Sequence, residues 1–326
     1  MKELKTMNFA FVGLGLMGGS IAKAIKQNVF ESGTEVFKIG TCPAATSDSE
    51  KTSGKIFAMD VNEESLLKAL NDKIIDERFS PLETDEMLEK ADFVFICLYP
   101  KATLRFLLEH KEAFKPGSIV TDISGVKTLI AEKIFGEENS TSEKATQNGQ
   151  SSVWRDDVDF ILGHPMAGNE KEGYSGSDGK VFEGRNYILM PQKSNREENL
   201  CLMRELITKL GIKRIIETDY KTHDHKIAFT SQLCHVIASS LVDSAEDDKI
   251  TAFGGGSYED LTRIALINAP LWTELFLSNR KELLSMISSF EGSLSKIKNA
   301  IETENAAELN SILKSVREKR AEMGKI

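Results

Sequence analysis

The sequence predicts a doubly wound parallel α/β sheet followed by an all-helical second domain. Short apolar runs alternate with helical segments along the first two thirds of the chain, and strand signals stop beyond about residue 219. Strands that alternate with helices form crossover units, which build a parallel sheet covered by helices on both faces. The predicted strands are 8–12, 56–59, 93–98, 119–121, 160–162, 187–190 and 215–216.

Helical patterns define the rest of the chain. Segments 20–27, 63–70 and 197–210 lie between predicted strands, and amphipathic helices follow at about 258–267, 272–301 and 305–322. Residues 224–246 contain a helix that is apolar on nearly every side, and such a helix must be buried. We place a domain boundary near residue 218, with an α/β domain at 1–218 and a helical domain at 219–326. The apolar helix could also form the core of a homodimer.

Composition and charge exclude several classes of function. The chain has 326 residues, 40% of them hydrophobic and 28% charged, and a formal net charge of −9 at pH 7. This length suggests two domains. The acidic balance argues against a nucleic-acid partner, which favours clustered Lys and Arg. No apolar run approaches the roughly 20 residues that cross a bilayer, so we expect no membrane partner.

The N-terminus and the cysteines indicate the cellular compartment of the protein. Lys2 and Lys5 followed by apolar residues imitate a secretory signal peptide, which is the alternative, but the apolar stretch carries glycines spaced as a phosphate loop. The four cysteines, at 42, 97, 201 and 234, form no Cys-x-x-Cys pair and have no metal-ligand spacing. We therefore expect reduced thiols, a cytoplasmic protein and no metal site. Polar segments 41–54 and 137–152 are predicted surface insertions.

A glycine-rich loop follows the first predicted strand and opens a helix. It consists of Gly13, Leu14, Gly15, Leu16, Met17 and Gly18. Such glycines allow a tight turn and close approach of the backbone to a pyrophosphate, and the helix N-terminus offers free N–H groups. The alternative is a glycine-rich turn in an unrelated α/β protein. The pattern predicts a Rossmann-type dinucleotide site.

Asp60 ends the second predicted strand, where the acidic partner of this loop belongs. Its distance from the glycines exceeds the usual ~20 residues, and the insertion at 41–54 accounts for the excess. A carboxylate at this position holds the ribose 2′-hydroxyl and repels a 2′-phosphate. We therefore predict NAD as the cofactor in preference to NADP.

Later motifs resemble one enzyme family. Gly163-His164-Pro165-Met166-Ala167-Gly168, followed by Asn169-Glu170, is similar to the signature segment of prephenate dehydrogenases. Three more stretches resemble that family in order and spacing: Thr121–Lys127, His223-Asp224 with Ser231–His235, and Gly254–Gly256 with Asp260–Ala265 and Pro270–Trp272. The resemblance runs from about residue 7 to the C-terminus.

The resemblance implies NAD-dependent oxidative decarboxylation of prephenate to 4-hydroxyphenylpyruvate in tyrosine biosynthesis. It implies that His164 is the catalytic base and that His235 steers a substrate oxygen or guards the entrance. Arg263 would hold a substrate carboxylate, because a guanidinium suits a dicarboxylate, and Asn169 and Glu170 would also contact the substrate. The family further implies a homodimer through the helical domain.

Three motifs depart from the family pattern. The family often has Gly-Ser where this chain has Ser124-Gly125, so the hydroxyl that would assist His164 is displaced by one position. Ser124 is our candidate for that hydroxyl. Gln232 replaces the first histidine of the family's His-Leu-Pro-His, and Asn169 stands where Thr or Ser is common.

Each candidate has a structural alternative. A histidine after a strand, such as His164, is often a capping or packing residue. His235 lies on an apolar helix, where a histidine is usually hydrogen-bonded within the core. Arg263 could pair with Asp260 one turn earlier. The run His223–His225 lacks a third ligand cluster, so we interpret it as a helix start on a solvated surface, and Trp272 as core packing.

Other functions are also compatible with parts of the sequence. The substrate could be arogenate or another amino-substituted prephenate, because these differ away from the oxidised carbon. A non-catalytic NAD-sensing protein is the alternative from another class, but a sensor needs neither His164 nor Arg263. A hydroxyisobutyrate-type dehydrogenase is disfavoured because its catalytic lysine motif is not visible.

Overall fold

The computed structural model describes residues 3–31, 53–136 and 152–323. An eight-stranded sheet has the order β3-β2-β1-β4-β5-β6-β7-β8. The strands are β1 Phe9–Val12, β2 Ile56–Met59, β3 Glu77–Phe79, β4 Phe93–Ile96, β5 Ile119–Asp122, β6 Asp159–Pro165, β7 Asn186–Met190 and β8 Arg214–Glu217.

The strand order places a crevice beside the first strand. Strands β1 to β6 pair in parallel, β7 pairs antiparallel with β6, and β8 pairs in parallel with β7. The chain moves outward from β1 through β2 to β3 and then returns to the other side of β1 with β4. Ligands of doubly wound sheets bind at such a switch point, outside the carboxyl ends of the strands.

The α-helices cover the sheet and then form the C-terminal part of the chain. They are α1 Leu16–Ile25, α2 Glu63–Asn71, α3 Thr84–Lys90, α4 Pro100–Glu109, α5 Thr128–Phe135, α6 Glu197–Lys209, α7 Tyr220–Ile227, α8 Leu233–Asp243, α9 Gly256–Thr262, α10 Ala269–Ser278, α11 Arg280–Glu302 and α12 Ala306–Met323. A π-helical turn, Ala228–Gln232, joins α7 to α8.

The predicted fold class is confirmed, and all seven predicted strands are present. The prediction missed β3, a short edge strand in which only Phe79 is buried, because Glu77 and Arg78 break the apolar pattern. The predicted helix at 20–27 begins earlier, at Leu16, since the end of the glycine loop is already helical. The predicted helix at 272–301 is divided at Asn279.

Two apolar layers pack against the sheet, one on each face. Alternate residues of β1 serve the two layers: Phe9 and Phe11 join one, and Ala10 and Val12 join the other. Phe11 also stacks on Phe95 of β4 with ring centroids 5.3 Å apart. Burial on both faces explains why the central strands are continuous apolar runs in the sequence.

The helix predicted at 224–246 is not buried all round in the single chain. The helical segment runs from Tyr220 to Asp243, and Phe229 and Val242 on it are 53% and 42% exposed. The expectation of burial is wrong here because the neighbouring helices cover only part of its apolar surface. A second molecule could cover the remainder.

Some predictions concern residues that the structure does not describe, or describes only in part. Most of the two predicted insertions, 41–54 and 137–152, lies outside the described residues, as does the cysteine at 42. The other three cysteines are free thiols. Within the described ranges, no helix is both long enough and apolar enough to cross a membrane.

Candidate active site

The glycine loop after β1 has the geometry of a phosphate-binding turn. Gly13 has φ +91°, and a Cβ there would lie 2.9 Å from the Cys97 carbonyl oxygen. A Cβ on Gly18 would lie 2.2 Å from the Gly13 oxygen, so helix α1 can approach the strand only without a side chain. A Cβ on Gly15 would meet no atom within 4 Å, which leaves space above the loop for a ligand.

Asp60 lies directly after β2 and is joined to this loop. Its Oδ2 accepts the Leu14 backbone N–H at 2.5 Å, and its Oδ1 accepts the Asn62 N–H at 2.8 Å. The N-terminus of α1, beginning at Leu16, provides N–H groups and the positive end of the helix dipole. The loop and Asp60 therefore fit the pyrophosphate and the adenosine ribose of a dinucleotide.

His164 lies on β6 at the same carboxyl edge of the sheet as the glycine loop, and it is partly exposed. Its Nδ1 is 2.9 Å from Nε2 of His223 on α7. Burial, together with the nearby His223 and Lys127, holds the pKa of His164 well below its ordinary value. The imidazole is therefore neutral near pH 7. Its Nε2 makes no hydrogen bond with any described residue.

His223 and Asp224 are buried, with only 1% and 2% of their surfaces exposed. The interpretation of 223–225 as a solvated helix start is therefore wrong for these two residues, although His225 is exposed and pairs with Glu282. The His223 Nδ1 lies 2.7 Å from Asp224 Oδ1. The sequence analysis did not predict the contact between His223 and His164. The signal for it was the His-Asp dipeptide at the start of an apolar helix.

Asp224 also joins the helical segment to the sheet. Its Oδ1 accepts the Lys127 backbone N–H at 2.9 Å, and its Oδ2 accepts the Thr128 N–H at 2.8 Å. These N–H groups begin helix α5, where backbone donors lack intrahelical partners. On the other side, the Asn279 side-chain amide donates to the Asp224 carbonyl oxygen at 2.8 Å.

A buried ion pair supports the strand ends beneath His164. The Lys127 Nζ lies 2.6 Å from Asp122 Oδ2 and donates to the Gly163 carbonyl oxygen at 2.6 Å. Burial lowers the pKa of Lys127, and the Asp122 carboxylate opposes that shift. The pair ties the ends of β5 and β6 together immediately before the histidine.

Ser124 lies near this pair but is not joined to His164. Its N–H donates to Asp122 Oδ2 at 3.0 Å, and its hydroxyl is 3.5 Å from the Thr103 hydroxyl. Among the described residues the Nδ1 of His164 has His223 as its hydrogen-bond partner. The structure therefore brings His164 together with a residue that the sequence analysis had not chosen.

Two of the three predicted substrate ligands, Arg263 and Glu170, contact each other. The Arg263 guanidinium pairs with the Glu170 carboxylate, which follows β6, rather than with Asp260 as the alternative suggested. Asn169 Oδ1 accepts the Lys171 N–H at 2.8 Å. The Arg263 side chain is 61% exposed, so its guanidinium is accessible from solvent.

His235 lies on α8 against an aromatic ring. Its ring and that of Trp272 are stacked, with centroids 3.5 Å apart, and its Nδ1 lies 3.0 Å from the Ser231 carbonyl oxygen. Burial lowers the pKa of His235. Helix α10, which carries Trp272, also places Leu275 beside Gly125 near the His164 ring. Trp272 packs against His235 but is only half-buried, so the prediction that it packs in the core is wrong.

The described residues contain no cluster of metal ligands. Across those residues, no three His, Cys, Asp or Glu side chains form a group that could hold a metal ion. The site presents a neutral histidine and a dinucleotide loop at one edge of the sheet, and an accessible guanidinium that pairs with the loop after β6.

Two family models match the chain. The first is described as "Prephenate dehydrogenase, nucleotide-binding domain" and matches residues 48–216. The second is described as "Prephenate dehydrogenase, dimerization domain" and matches residues 219–315. The glycine loop after β1 precedes the first matched range, so its assignment rests on the geometry above.

Curated relatives and a solved structure have the same description. A prephenate dehydrogenase of Lactococcus lactis subsp. cremoris is 30% identical over 293 residues, which is 88% of this chain and 69% of that protein. One from Bacillus subtilis is 25% identical over 326 residues, 98% of this chain and 76% of that protein. The crystal structure of prephenate dehydrogenase from Aquifex aeolicus with hydroxyphenyl propionate and NAD+ is 29% identical, with a TM-score of 0.75, and the match covers 99% of this chain and 100% of that one.

Proposed function

The chain belongs to the prephenate dehydrogenase family, and we propose that it converts prephenate and NAD to 4-hydroxyphenylpyruvate, carbon dioxide and NADH. The family carries out this reaction in tyrosine biosynthesis. The observation that carries the proposal is a neutral His164 whose Nε2 makes no hydrogen bond with any described residue, at the sheet edge that holds the dinucleotide loop.

The reaction needs a base at one oxygen. NAD, when bound, supplies the hydride acceptor. The ring carbon that is oxidised bears a hydroxyl group, which must lose its proton as the carbonyl forms, and neutral His164 can accept it near pH 7. Loss of carbon dioxide makes the ring aromatic and leaves a phenolate. His164 then returns the proton to the same oxygen, so no net proton is released.

The substrate carries two carboxylates, and Arg263 is the cation that we assign to one of them. In the structure the Glu170 carboxylate forms an ion pair with the guanidinium, and a substrate carboxylate would replace it in that pair. Asn169 lies next to Glu170 and can donate a hydrogen bond to the substrate. We assign His235, stacked on Trp272, to orienting a substrate oxygen, and we retain Ser124 as a supporting hydroxyl beside the loop after β5.

Residues of the glycine loop, from Gly13 to Gly18, would hold the pyrophosphate of NAD. Asp60 would bind the ribose hydroxyls, because its carboxylate follows β2 beside the loop. The open space at Gly15 supports this placement. We retain residue 218 as the boundary between this domain and the helical one.

We further propose a cytoplasmic homodimer formed through the helical domain. The second matching family model is described as a dimerization domain. The exposed apolar residues of the helical segment, Phe229 and Val242 among them, support such an interface. Buried apolar surface is the main favourable term in association.

One experiment separates this function from its alternatives. NADH formation is measured with prephenate and arogenate in parallel, using NAD and then NADP. Prephenate with NAD should give the highest kcat/KM. A higher value with arogenate would reassign the substrate, and no NADH with either substrate, despite measurable NAD binding, would favour the NAD-sensing alternative.

A further inference from the structure

The contacts of His164 raise the question of which of its nitrogens carries the proton. Asp224 sets the direction of each hydrogen bond in this chain, because a carboxylate can only accept. Three N–H groups converge on it: those of Lys127, Thr128 and the His223 ring. The His223 proton must therefore reside on Nδ1.

The position of that proton determines the next one. A neutral imidazole carries one proton, so with Nδ1 protonated the Nε2 of His223 is an acceptor. His164 Nδ1 lies 2.9 Å from that Nε2 and must be the donor. The remaining nitrogen of His164, Nε2, then carries a lone pair. This is the nitrogen that the proposed reaction requires as a base.

We propose that His223 and Asp224 are positioning residues for His164, which they hold in the Nδ1–H form and whose added charge they share. This proposal rests on the proposed function. When His164 Nε2 binds the proton of the substrate hydroxyl, the Nδ1–H proton can shift to His223 Nε2. The positive charge then lies beside the Asp224 carboxylate, and the same shift in reverse returns the proton.

The surrounding groups are compatible with this assignment. His164 lies on β6 and His223 and Asp224 on α7, and Lys127 approaches from the start of α5. The Lys127 charge is neutralised by Asp122 of β5, at 2.6 Å. Asp224 is consequently the carboxylate that remains to balance a charge on the two histidines.

His223→Leu tests the proposal, with His223→Gln as the conservative variant. Leucine offers no acceptor to His164, whereas the glutamine oxygen can accept the Nδ1–H. Asp224 keeps both backbone donors in either variant, so the helical segment stays anchored.

We expect kcat to fall about 10²-fold in His223→Leu, with the KM values for NAD and prephenate within about twofold. His223→Gln should recover at least tenfold of that loss. His225→Gln, in the exposed neighbour, is the control and should behave as the unchanged protein.

The proton positions can also be observed without turnover. The chain has five histidines, so 15N-labelled histidine spectra can be assigned by comparison with the His164→Asn and His223→Gln proteins. The free protein, at a pH where His164 is neutral, should show a protonated Nδ1 and a bare Nε2 on His164.

A proton on Nε2 of His164 would overturn the proposal, as would a folded His223→Leu protein that retains more than a third of the normal kcat. Should His223→Leu fail to fold, the spectrum and His223→Gln decide the matter. Absence of NADH formation by the unchanged protein would instead reject the proposed function, and the spectrum would still test the hydrogen-bond chain.

Discussion

Arg263 and Glu170 form an ion pair that joins the helical part of the chain to the loop after β6, 93 positions apart in the sequence. The guanidinium is largely exposed, so the pair contributes no more than about 1 kcal/mol to stability. Its place in the chain matters more, because Glu170 lies in the loop that follows β6, the strand that carries His164. A substrate carboxylate can replace Glu170 at little cost to the fold.

Arg263→Gln should therefore weaken prephenate binding without unfolding the protein. Loss of a charge-assisted contact commonly costs about 1.5–3 kcal/mol, which corresponds to roughly a 10- to 150-fold rise in KM. The melting temperature should change little. Arg317→Gln is the matched control, because this exposed arginine lies on α12, outside the proposed site, and its loss should not raise KM. A KM within about twofold in a folded Arg263→Gln protein would exclude Arg263 as the carboxylate ligand.

His164→Asn should lower kcat by roughly 10²–10⁴-fold, because asparagine retains some hydrogen bonding but cannot accept the proton. NAD binding, measured by titration calorimetry, should be unaltered because the glycine loop is untouched. Turnover above about a tenth of the normal value would mean that another group takes the proton.

The pH dependence of kcat/KM should reflect the lowered pKa of His164. The base is active when neutral, so a lowered pKa preserves activity to lower pH. The rate should be level near pH 7 and fall only below the ordinary histidine value of 6.5. An acid limb with its midpoint above 7 would contradict this assignment.

Asp60→Ser should reduce the preference for NAD by weakening NAD binding and by tolerating the 2′-phosphate of NADP. Because Asp60 also accepts the Leu14 N–H, part of the loss will reflect a looser glycine loop. Asp60→Asn separates the two effects, since its amide oxygen can retain that one hydrogen bond. Equal kcat/KM for NAD and NADP in the unchanged protein would reject the role of Asp60.

Phe229→Lys should shift the protein toward a monomer in sedimentation analysis, because the substitution places a charge on the exposed apolar surface of the helical segment. Leu82→Lys is the matched control, an exposed leucine near the edge strand β3 of the sheet. If both variants sediment as the unchanged protein does, the interface lies elsewhere.

The sequence predicts the parts of this fold that follow local patterns. Central strands such as β1 and β4 are buried on both faces, so they are continuous apolar runs. The glycine loop has a fixed spacing that only glycines can satisfy at Gly13 and Gly18. β3 lacks such a pattern, because an edge strand of three residues with two polar ones resembles a loop.

Long-range packing determines the parts that the sequence did not reveal. His223 begins a helix as many surface residues do, and it is buried only because α7 packs on α5 and faces β6. Arg263 has a local carboxylate at Asp260 but pairs with the distant Glu170. Exposure of Phe229 follows from how little of the helical segment one chain can cover.

Because of Asp224, the catalytic histidine depends on the helical part of the chain, whereas dinucleotide binding does not. The carboxylate belongs to the helical part of the chain, yet it receives N–H groups from the start of α5 and reaches His164 through His223. A hybrid that kept this sheet and borrowed another dehydrogenase's helices would still bind the dinucleotide. It would turn over slowly unless the borrowed helix brought an equivalent His-Asp dipeptide to the same place.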